Sequence, residues 1–152
     1  MTTNSPGLRR VDHVGVIVDD LALVTAFLAD LGFTCGDPTH YEGEWIDRIN
    51  GLDGVQLEMV SANAPDGGSW LELTKFHRPV DRSPAEIQSS NRLGFRHIAC
   101  VVDDLDAVID RLRPKGFKPI GEIVNYENVF RLCFVGGPEG PIVELAEELQ
   151  KD

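Results

Sequence analysis

Two histidines and two glutamates occupy matching places in the two halves of the chain, in a pattern that could bind a metal. They are His13 and Glu72 in the first half, and His97 and Glu144 in the second. A charged Glu within an apolar strand needs a partner, because burying it alone is costly. Two imidazoles and two carboxylates suit Ni²⁺, Co²⁺, Fe²⁺, Mn²⁺ or Zn²⁺. The sequence therefore predicts one divalent metal bound by these four side chains.

An internal repeat supports the matching of these residues. The segment HVGVIVDDL at residues 13–21 recurs as HIACVVDDL at residues 97–105, and the Gly-Phe pair at 32–33 recurs at 116–117. Two copies of one supersecondary unit therefore build the chain. The spacing from the first strand to the last differs between the copies, a difference that loops absorb at little cost.

Each copy is predicted to fold as a strand, a helix and three further strands. On the first strand, alternation places the histidine on the face opposite the small aliphatic residues. One Asp of the pair at 19–20 is predicted to cap the helix of the first copy, and one Asp of the pair at 103–104 that of the second. Gly32 is predicted to end the first helix. The later strands are predicted over 45–50, 55–60 and 69–76 in the first half, and over 121–126, 129–135 and 141–146 in the second.

The predicted fold class is α+β, with two βαβββ modules forming a cup-shaped mixed sheet that carries the helices on its outer face. The predicted segments are a flexible tail at 1–8, a first module at 9–77, a linker at 78–93, a second module at 94–148 and a tail at 149–152. Alternation puts each glutamate on the face of the histidine in its own module. A pseudo-twofold pairing of the modules is expected to bring the four side chains to one ion.

Composition and charge exclude several other classes of protein. The chain has 152 residues, 42% hydrophobic and 26% charged, which is typical of a globular protein. Its net charge of −11 argues against binding to nucleic acid or to anionic lipid, since both need clustered Lys and Arg. No apolar run is long enough to span a bilayer or to form a secretory signal. Three widely spaced cysteines favour a reducing cytoplasm.

Other residues carry weaker signals. Arg131 alternates with apolar neighbours and is a candidate for holding a substrate anion, with a plain surface role as the default. Trp70 and Met59 are candidates for lining a substrate pocket, with core packing as the default. His40 and His77 have no counterpart in the other half and are assigned to loops, so we exclude them as ligands.

Paired βαβββ modules with His on the first strand and Glu on the last resemble the vicinal oxygen chelate superfamily, which is also called the glyoxalase/bleomycin resistance/extradiol dioxygenase group. The resemblance covers residues 8–148. It rests on the segments VDHVGV at 11–16, LEL at 71–73, RHIA at 96–99 and GPEGPIVEL at 137–145. These segments indicate the fold and the superfamily, but they do not identify one reaction.

The ligand set is similar to that of Ni/Co-preferring glyoxalase I. That resemblance implies a metal-dependent lyase or isomerase acting on a chelated α-hydroxycarbonyl or thiol hemithioacetal. Such an enzyme moves a proton between adjacent carbons through an enediolate, and the resemblance implies that Glu144 and Glu72 are its catalytic residues. The alternatives are an extradiol-type dioxygenase using His13, His97 and Glu144, an acyl-CoA epimerase, or a non-catalytic drug-binding or resistance protein. A small-molecule substrate is expected, and the open sheet edges favour a homodimer.

Overall fold

The computed structural model describes residues 7–83, 89–91 and 93–149. The first half contains β1 (His13–Ile17), α1 (Leu21–Leu31), β2 (Thr34–Cys35), β3 (Thr39–Glu42), α2 (Glu44–Asn50), β4 (Gln56–Asn63) and β5 (Trp70–Arg78). The second half contains β6 (His97–Val102), α3 (Leu105–Leu112), a 3-10 turn (Arg113–Lys115), β7 (Val124–Tyr126), β8 (Phe130–Gly136) and β9 (Ile142–Glu148). This architecture confirms the predicted α+β class. Across the described ranges, no helix combines the length and apolar character needed to cross a membrane.

Contacts between Cα atoms divide the chain into two compact units. The first comprises Met1–Leu21 and Gly32–Val80, and the second comprises Ala22–Leu31 and Asp81–Asp152. Helix α1 therefore belongs to the second unit, whereas the sequence analysis placed it in the first module. The Phe27 ring of α1 lies 4.9 Å from the ring of Phe117, centroid to centroid, and Asp30 pairs with Lys115. The apolar period within α1 predicts a buried stripe but does not specify which residues cover it.

The first unit contains a five-stranded mixed sheet. Its strands lie in the order β1–β5–β4–β2, and β3 also pairs with β4. Strand β1 runs parallel to β5, with His13 aligned with Trp70 and Gly15 aligned with Glu72. Aligned residues share a face and successive residues alternate, so His13 and Glu72 lie on one face while the fully buried Leu73 lies on the other.

The second unit contains a four-stranded mixed sheet in the order β6–β9–β8–β7. Strand β6 runs parallel to β9, with His97 aligned with Ile142 and Ala99 aligned with Glu144. The fully buried Leu145 points away from the face of Glu144. Each unit therefore places its first strand beside its last strand, as the internal repeat predicts.

Helix α3 packs its apolar side into the core of the second unit. Its buried residues are Leu105, Val108, Ile109 and Leu112. The side chain of Asp104 accepts a hydrogen bond from the backbone N–H of Ala107 at 2.9 Å, which confirms the predicted aspartate cap. Gly32 has a φ of 108° just after α1, so the predicted glycine stop of that helix is also confirmed.

The segment predicted as a strand over 45–50 is helix α2, so that prediction is wrong. The helix ends before Gly51, whose φ of 65° is the left-handed conformation that commonly terminates helices. Ile46 of α2 packs into a core cluster with Val55 and Leu57. Half of the residues over 45–50 are polar, so the segment lacks a clear strand alternation, and burial of Ile46 against Leu57 of β4 favours the helix. Strands β2 and β3 were not predicted, whereas the other predicted strands are confirmed with bounds shifted by a few residues.

The predicted linker and tails are described only in part. Strand β5 extends to Arg78, the first residue assigned to the linker over 78–93. Residues 84–88 and 92 of that linker lie outside the described residues, as do 1–6 and 150–152 of the tails.

Candidate metal centre

In the first unit, His13 and Glu72 face each other across the parallel strands β1 and β5. The Nε2 atom of His13 lies 3.5 Å from Oε2 of Glu72. The His13 side chain is 37% exposed and the Glu72 side chain 20% exposed, so an incoming ligand can reach both groups. Gly15 is aligned with Glu72 and leaves open space where a side chain would stand.

Asp12 orients the imidazole of His13. Its Oδ2 atom lies 2.9 Å from Nδ1 of His13, and its Oδ1 atom lies 2.6 Å from the guanidinium of Arg10. The hydrogen bond with His13, aided by the charge of Arg10 and opposed by slight desolvation, lowers the pKa of Asp12. An ionised carboxylate only accepts hydrogen bonds, so this contact suits the tautomer that donates from Nδ1, and that tautomer offers the lone pair of Nε2 to a metal. Carboxylates commonly back metal-binding histidines in this way.

An aromatic ring lines the first pair. The ring centroid of Trp70 lies 4.6 Å from that of His13, with the planes tilted by 34°. Trp70 is aligned with His13 and shares the face of Glu72, so a molecule bound at this pair would contact the indole. This position is compatible with the prediction that Trp70 lines a substrate pocket.

The second unit carries the equivalent pair. The Nε2 atom of His97 lies 3.2 Å from Oε2 of Glu144, and the two side chains are 39% and 23% exposed. Phe134 of β8 is aligned with Glu144, and its ring centroid lies 5.1 Å from that of His97. Each unit thus offers one imidazole nitrogen and one carboxylate at an accessible place. Imidazole nitrogen and carboxylate oxygen are both donor types that divalent transition metals accept, and neither pair includes a thiolate.

Arg131 and Met59, the two other candidates for substrate binding, have different surroundings. Arg131 is aligned with Glu147, an odd number of residues from Glu144, so it lies on the opposite face of the second sheet. Its guanidinium donates to both carboxylate oxygens of Asp106, at 2.9 and 3.0 Å, and this bond is the main reason that the pKa of Arg131 is raised. Met59 packs against the core cluster around α2.

The sequence analysis missed a second group of possible ligands. It assigned His40 and His77 to loops, which is wrong, because they lie in β3 and β5. One ligand atom from each of them and from Glu58 lies within 4.8 Å of the others. Alternation along β5 could have placed His77 on the face opposite Glu72, whereas the pairing of β3 with β4 has no local signal.

The cysteines take no part in either group. Cys35, Cys100 and Cys133 are not joined in disulfides. Burial raises the pKa of all three thiols, so the reactive thiolate form is disfavoured.

The repeated His–Glu pairs and the two mixed sheets agree with a comparison against known families. A sequence model of the Glyoxalase/Bleomycin resistance protein/Dioxygenase superfamily matches residues 10–145. The chain belongs to this superfamily. The match confirms the resemblance drawn from the sequence. The glyoxalase superfamily includes many metal-dependent enzymes and typically binds a divalent metal.

Three similar proteins align over nearly the whole chain. A glyoxalase family protein from Bacillus cereus is 35% identical, with a TM-score of 0.90 and 99% of each chain covered. The Escherichia coli K12 protein called uncharacterized protein YaeR is 30% identical over 143 residues, covering 93% of this chain and 98% of its own. A glyoxalase I variant from Zea mays is 19% identical, with a TM-score of 0.61, and covers 92% of this chain and 48% of its own. That last similarity shows the fold alone.

Proposed function

We propose that this chain is a divalent-metal-dependent lyase or isomerase of the glyoxalase I type. The observation that carries the proposal is that both units hold a His–Glu pair at the same register position, with Gly15 aligned with Glu72 and Ala99 aligned with Glu144. In this proposal a single ion of Ni²⁺, Co²⁺, Fe²⁺, Mn²⁺ or Zn²⁺ takes both pairs. Its ligands are His13, Glu72, His97 and Glu144.

The bound ion would supply Lewis acidity to two neighbouring oxygens of the substrate. Our proposed substrate is the hemithioacetal that forms from a 2-oxoaldehyde and a thiol. Glu144 takes the proton from the carbon that bears the sulfur, while Glu72 takes the hydroxyl proton on the same carbon. Glu72 then gives its proton to the neighbouring carbon, and Glu144 gives its proton to the oxygen on that carbon. The product is the thioester of a 2-hydroxy acid, and both carboxylates are regenerated.

Neighbouring side chains support this assignment of roles. Asp12 keeps the proton of His13 on Nδ1, so Nε2 stays available as a ligand. Trp70 and Phe134 lie against His13 and His97, where their rings can shield the reacting carbons from water.

The test is an assay of metal-loaded protein on hemithioacetals made from methylglyoxal and a panel of thiols. Wild-type protein is expected to form the thioester, and Glu144→Gln is expected to lower kcat by about 10²–10⁴-fold, since general acid–base catalysis contributes that much. Glu148→Gln, at the exposed end of β9, is the matched control and keeps its activity. Undiminished turnover by folded Glu144→Gln protein would show that this base assignment is wrong.

The alternative functions predict different results for assays of the wild-type protein and of variants at the two glutamates. An extradiol-type dioxygenase would consume oxygen with catechols, would lose that activity in Glu144→Ala and would keep it in Glu72→Gln. A binding or resistance protein would take up a planar ligand stoichiometrically after removal of the metal. An acyl-CoA epimerase would exchange deuterium at the α-carbon of an acyl-CoA.

We further propose that the protein acts on this substrate as a homodimer in a reducing cytoplasm. The lack of a disulfide among the three cysteines supports the compartment. Strands β1 and β6, which carry the histidines, support a dimer because both lie at an edge of their described sheets. Light scattering coupled to gel filtration is expected to give twice the mass of the chain. A monomer mass at every micromolar concentration tested would contradict the dimer.

A further inference from the structure

Three side chains of the first unit converge on one small region of its sheet. They are His40 of β3, Glu58 of β4 and His77 of β5. The Nε2 atom of His40 lies 3.6 Å from Oε1 of Glu58, and Nε2 of His77 contacts Oε2 of the same carboxylate. The two imidazole rings stack with centroids 6.3 Å apart and planes 19° from parallel. Both histidines therefore direct the same ring nitrogen toward one carboxylate.

Strand register brings these residues together. His40 and Glu58 are aligned in the antiparallel pair β3–β4, where aligned side chains lie side by side. The register of β4 against β5 shifts beside Gln56, which leaves His77 as an extra residue on β5. Lys75 is aligned with Glu58, and His77 lies two residues further along β5 on the same face, so its imidazole reaches the carboxylate of Glu58.

This group lies on the other face of the sheet from the His–Glu pair of the same unit. Ser61 of β4 is aligned with Glu72, and Glu58 lies an odd number of residues from Ser61. Side chains alternate along a strand, so Glu58 faces away from Glu72. The two groups of ligands therefore cannot share one ion within the unit, and they can be tested separately.

We propose that His40, Glu58 and His77 form a second metal site, which binds Zn²⁺ and leaves one position open to water or to an exogenous ligand. Two imidazoles and one carboxylate are a ligand set that tetrahedral Zn²⁺ uses when it keeps an open position. The Glu58 side chain is 18% exposed, so its charge sits in a partly buried place where a cation offsets the cost of desolvation. The His40 and His77 side chains are 72% and 40% exposed, which lets an ion enter.

The site would join three strands. Strand β3 pairs with β4 and lies off the main path of the sheet, whereas β5 lies on the other side of β4. An ion held by all three strands would bind the folded state and not the unfolded chain. Zn²⁺ is therefore expected to raise the melting temperature as well as to bind with a defined stoichiometry.

The test measures Zn²⁺ binding by competition with a chromophoric chelator, with Glu58→Gln compared against Glu42→Gln. Both substitutions are Glu to Gln on the same sheet face, but Glu42 is aligned with Gln56 and bonded to it rather than to a histidine. Glu58→Gln is expected to lose one equivalent of Zn²⁺ per chain, with affinity falling at least about 100-fold. Loss of an outer-shell partner alone costs 10–100-fold, and Glu58 is a direct ligand. Glu42→Gln is expected to keep wild-type stoichiometry.

A second arm removes the other histidines. The His13→Ala/His97→Ala protein is expected to bind one equivalent of Co²⁺ with the intense visible bands of a four-coordinate ion, and further substitution of His77→Ala abolishes them. Equal Zn²⁺ binding by Glu58→Gln and Glu42→Gln would overturn the proposal, since the contacts of Glu58 would then be ordinary ion pairs with histidine. Loss of lyase activity alone would leave this result unchanged, so the two proposals fail independently.

Discussion

The first and second units hold the same His–Glu pair, but they surround the two histidines differently. In the first unit, His13 is backed by Asp12 and lies against Trp70, which comes from the last strand of that unit. In the second unit, His97 lies against Phe134, which comes from the strand before the last. The aromatic neighbour therefore comes from a different strand in each unit.

The aligned positions beside the two glutamates show the same divergence. Ser61 is aligned with Glu72, whereas Phe134 is aligned with Glu144. One carboxylate thus has a small polar neighbour and the other an aromatic ring. If both pairs bind one cation, the ligand types must match in the two units, while the neighbouring residues are free to change. The difference makes the two glutamates unequal toward an asymmetric substrate, as separate proton-transfer roles require.

The opposite faces of the two sheets differ even more. On the face opposite its His–Glu pair, the first unit brings together His40, Glu58 and His77. On the corresponding face of the second unit, Arg131 bonds to Asp106. The first set has two imidazoles around one carboxylate, whereas in the second the guanidinium of Arg131 contacts two carboxylates, those of Asp106 and Glu147. The two units therefore share the His–Glu pair on one face of the sheet and differ in the polar groups on the other face.

The largest expected effect tests whether the two cores are equivalent. Leu73 and Leu145 are fully buried at matching places in the repeat. Replacing either with Ala should lower the free energy of unfolding by about 2–5 kcal/mol, through lost burial and a cavity. Urea unfolding followed by circular dichroism checks both variants.

Leu8 is 87% exposed and supplies the control for these two variants. Leu8→Ala is expected to change the free energy of unfolding by no more than about 0.5 kcal/mol. A large loss for Leu73→Ala with none for Leu145→Ala would show that the second core does not depend on its matching leucine.

The next prediction compares the residues that precede His13 and His97. Asp12→Asn removes the carboxylate that fixes the Nδ1 proton of His13, so metal affinity is expected to fall by about 10–100-fold. Arg96 occupies the matching position before His97. Arg96→Gln removes a positive charge near the ligands, which repels a cation, so this variant should not weaken metal binding. Isothermal titration with Ni²⁺ measures both, and equal losses would contradict the orienting role of Asp12.

A smaller effect concerns the cap of α3. Asp104→Ala removes the acceptor for the Ala107 N–H and should lower the free energy of unfolding by about 1 kcal/mol. Asp110→Ala, near the other end of the same helix, removes an acidic group from the negative end of the helix dipole and should not destabilise it. Thermal unfolding of the two variants distinguishes a capping effect from a general effect of charge.

The smallest effect depends on pH and belongs to the second unit. The hydrogen bond from Arg131 is the main cause that lowers the pKa of Asp106 below 3.8. A carboxyl with a depressed pKa in the folded state stabilises the protein above its unfolded pKa, and it loses that contribution as the pH falls through the folded value. Asp106→Asn should therefore be slightly less stable than wild type at pH 6, with the difference disappearing below the folded pKa. A difference that grows on acidification would have the wrong sign.

Much of the candidate site could be predicted from the chain alone. Side chains alternate with period two along any strand, so the positions of His13 and Glu72 within their own strands set their faces once β1 lies beside β5. The internal repeat then assigns the same arrangement to the second half. The Asp104 cap is equally local, because it involves a hydrogen bond to a residue three positions away.

Other features depend on contacts between segments that lie far apart in the chain. Helix α2 forms where a strand was predicted, and the helix buries Ile46 against Leu57 of β4, a contact that the local pattern of this short segment does not specify. Arg131 faces Asp106 of α3 because of the register of β8 against β9. The bulge at His77 likewise arises from the pairing of β4 with β5.

The sequence by itself determined the repeat, the types of the four proposed ligands and the strand face that each occupies. The repeat is read directly from the residues, and the faces follow from backbone periodicity within single strands. Only the tertiary structure decided that α1 belongs to the second unit and that His40, Glu58 and His77 meet. The physical reason is that packing and strand register are set by the summed burial and hydrogen bonding of distant segments, which local spacing does not encode.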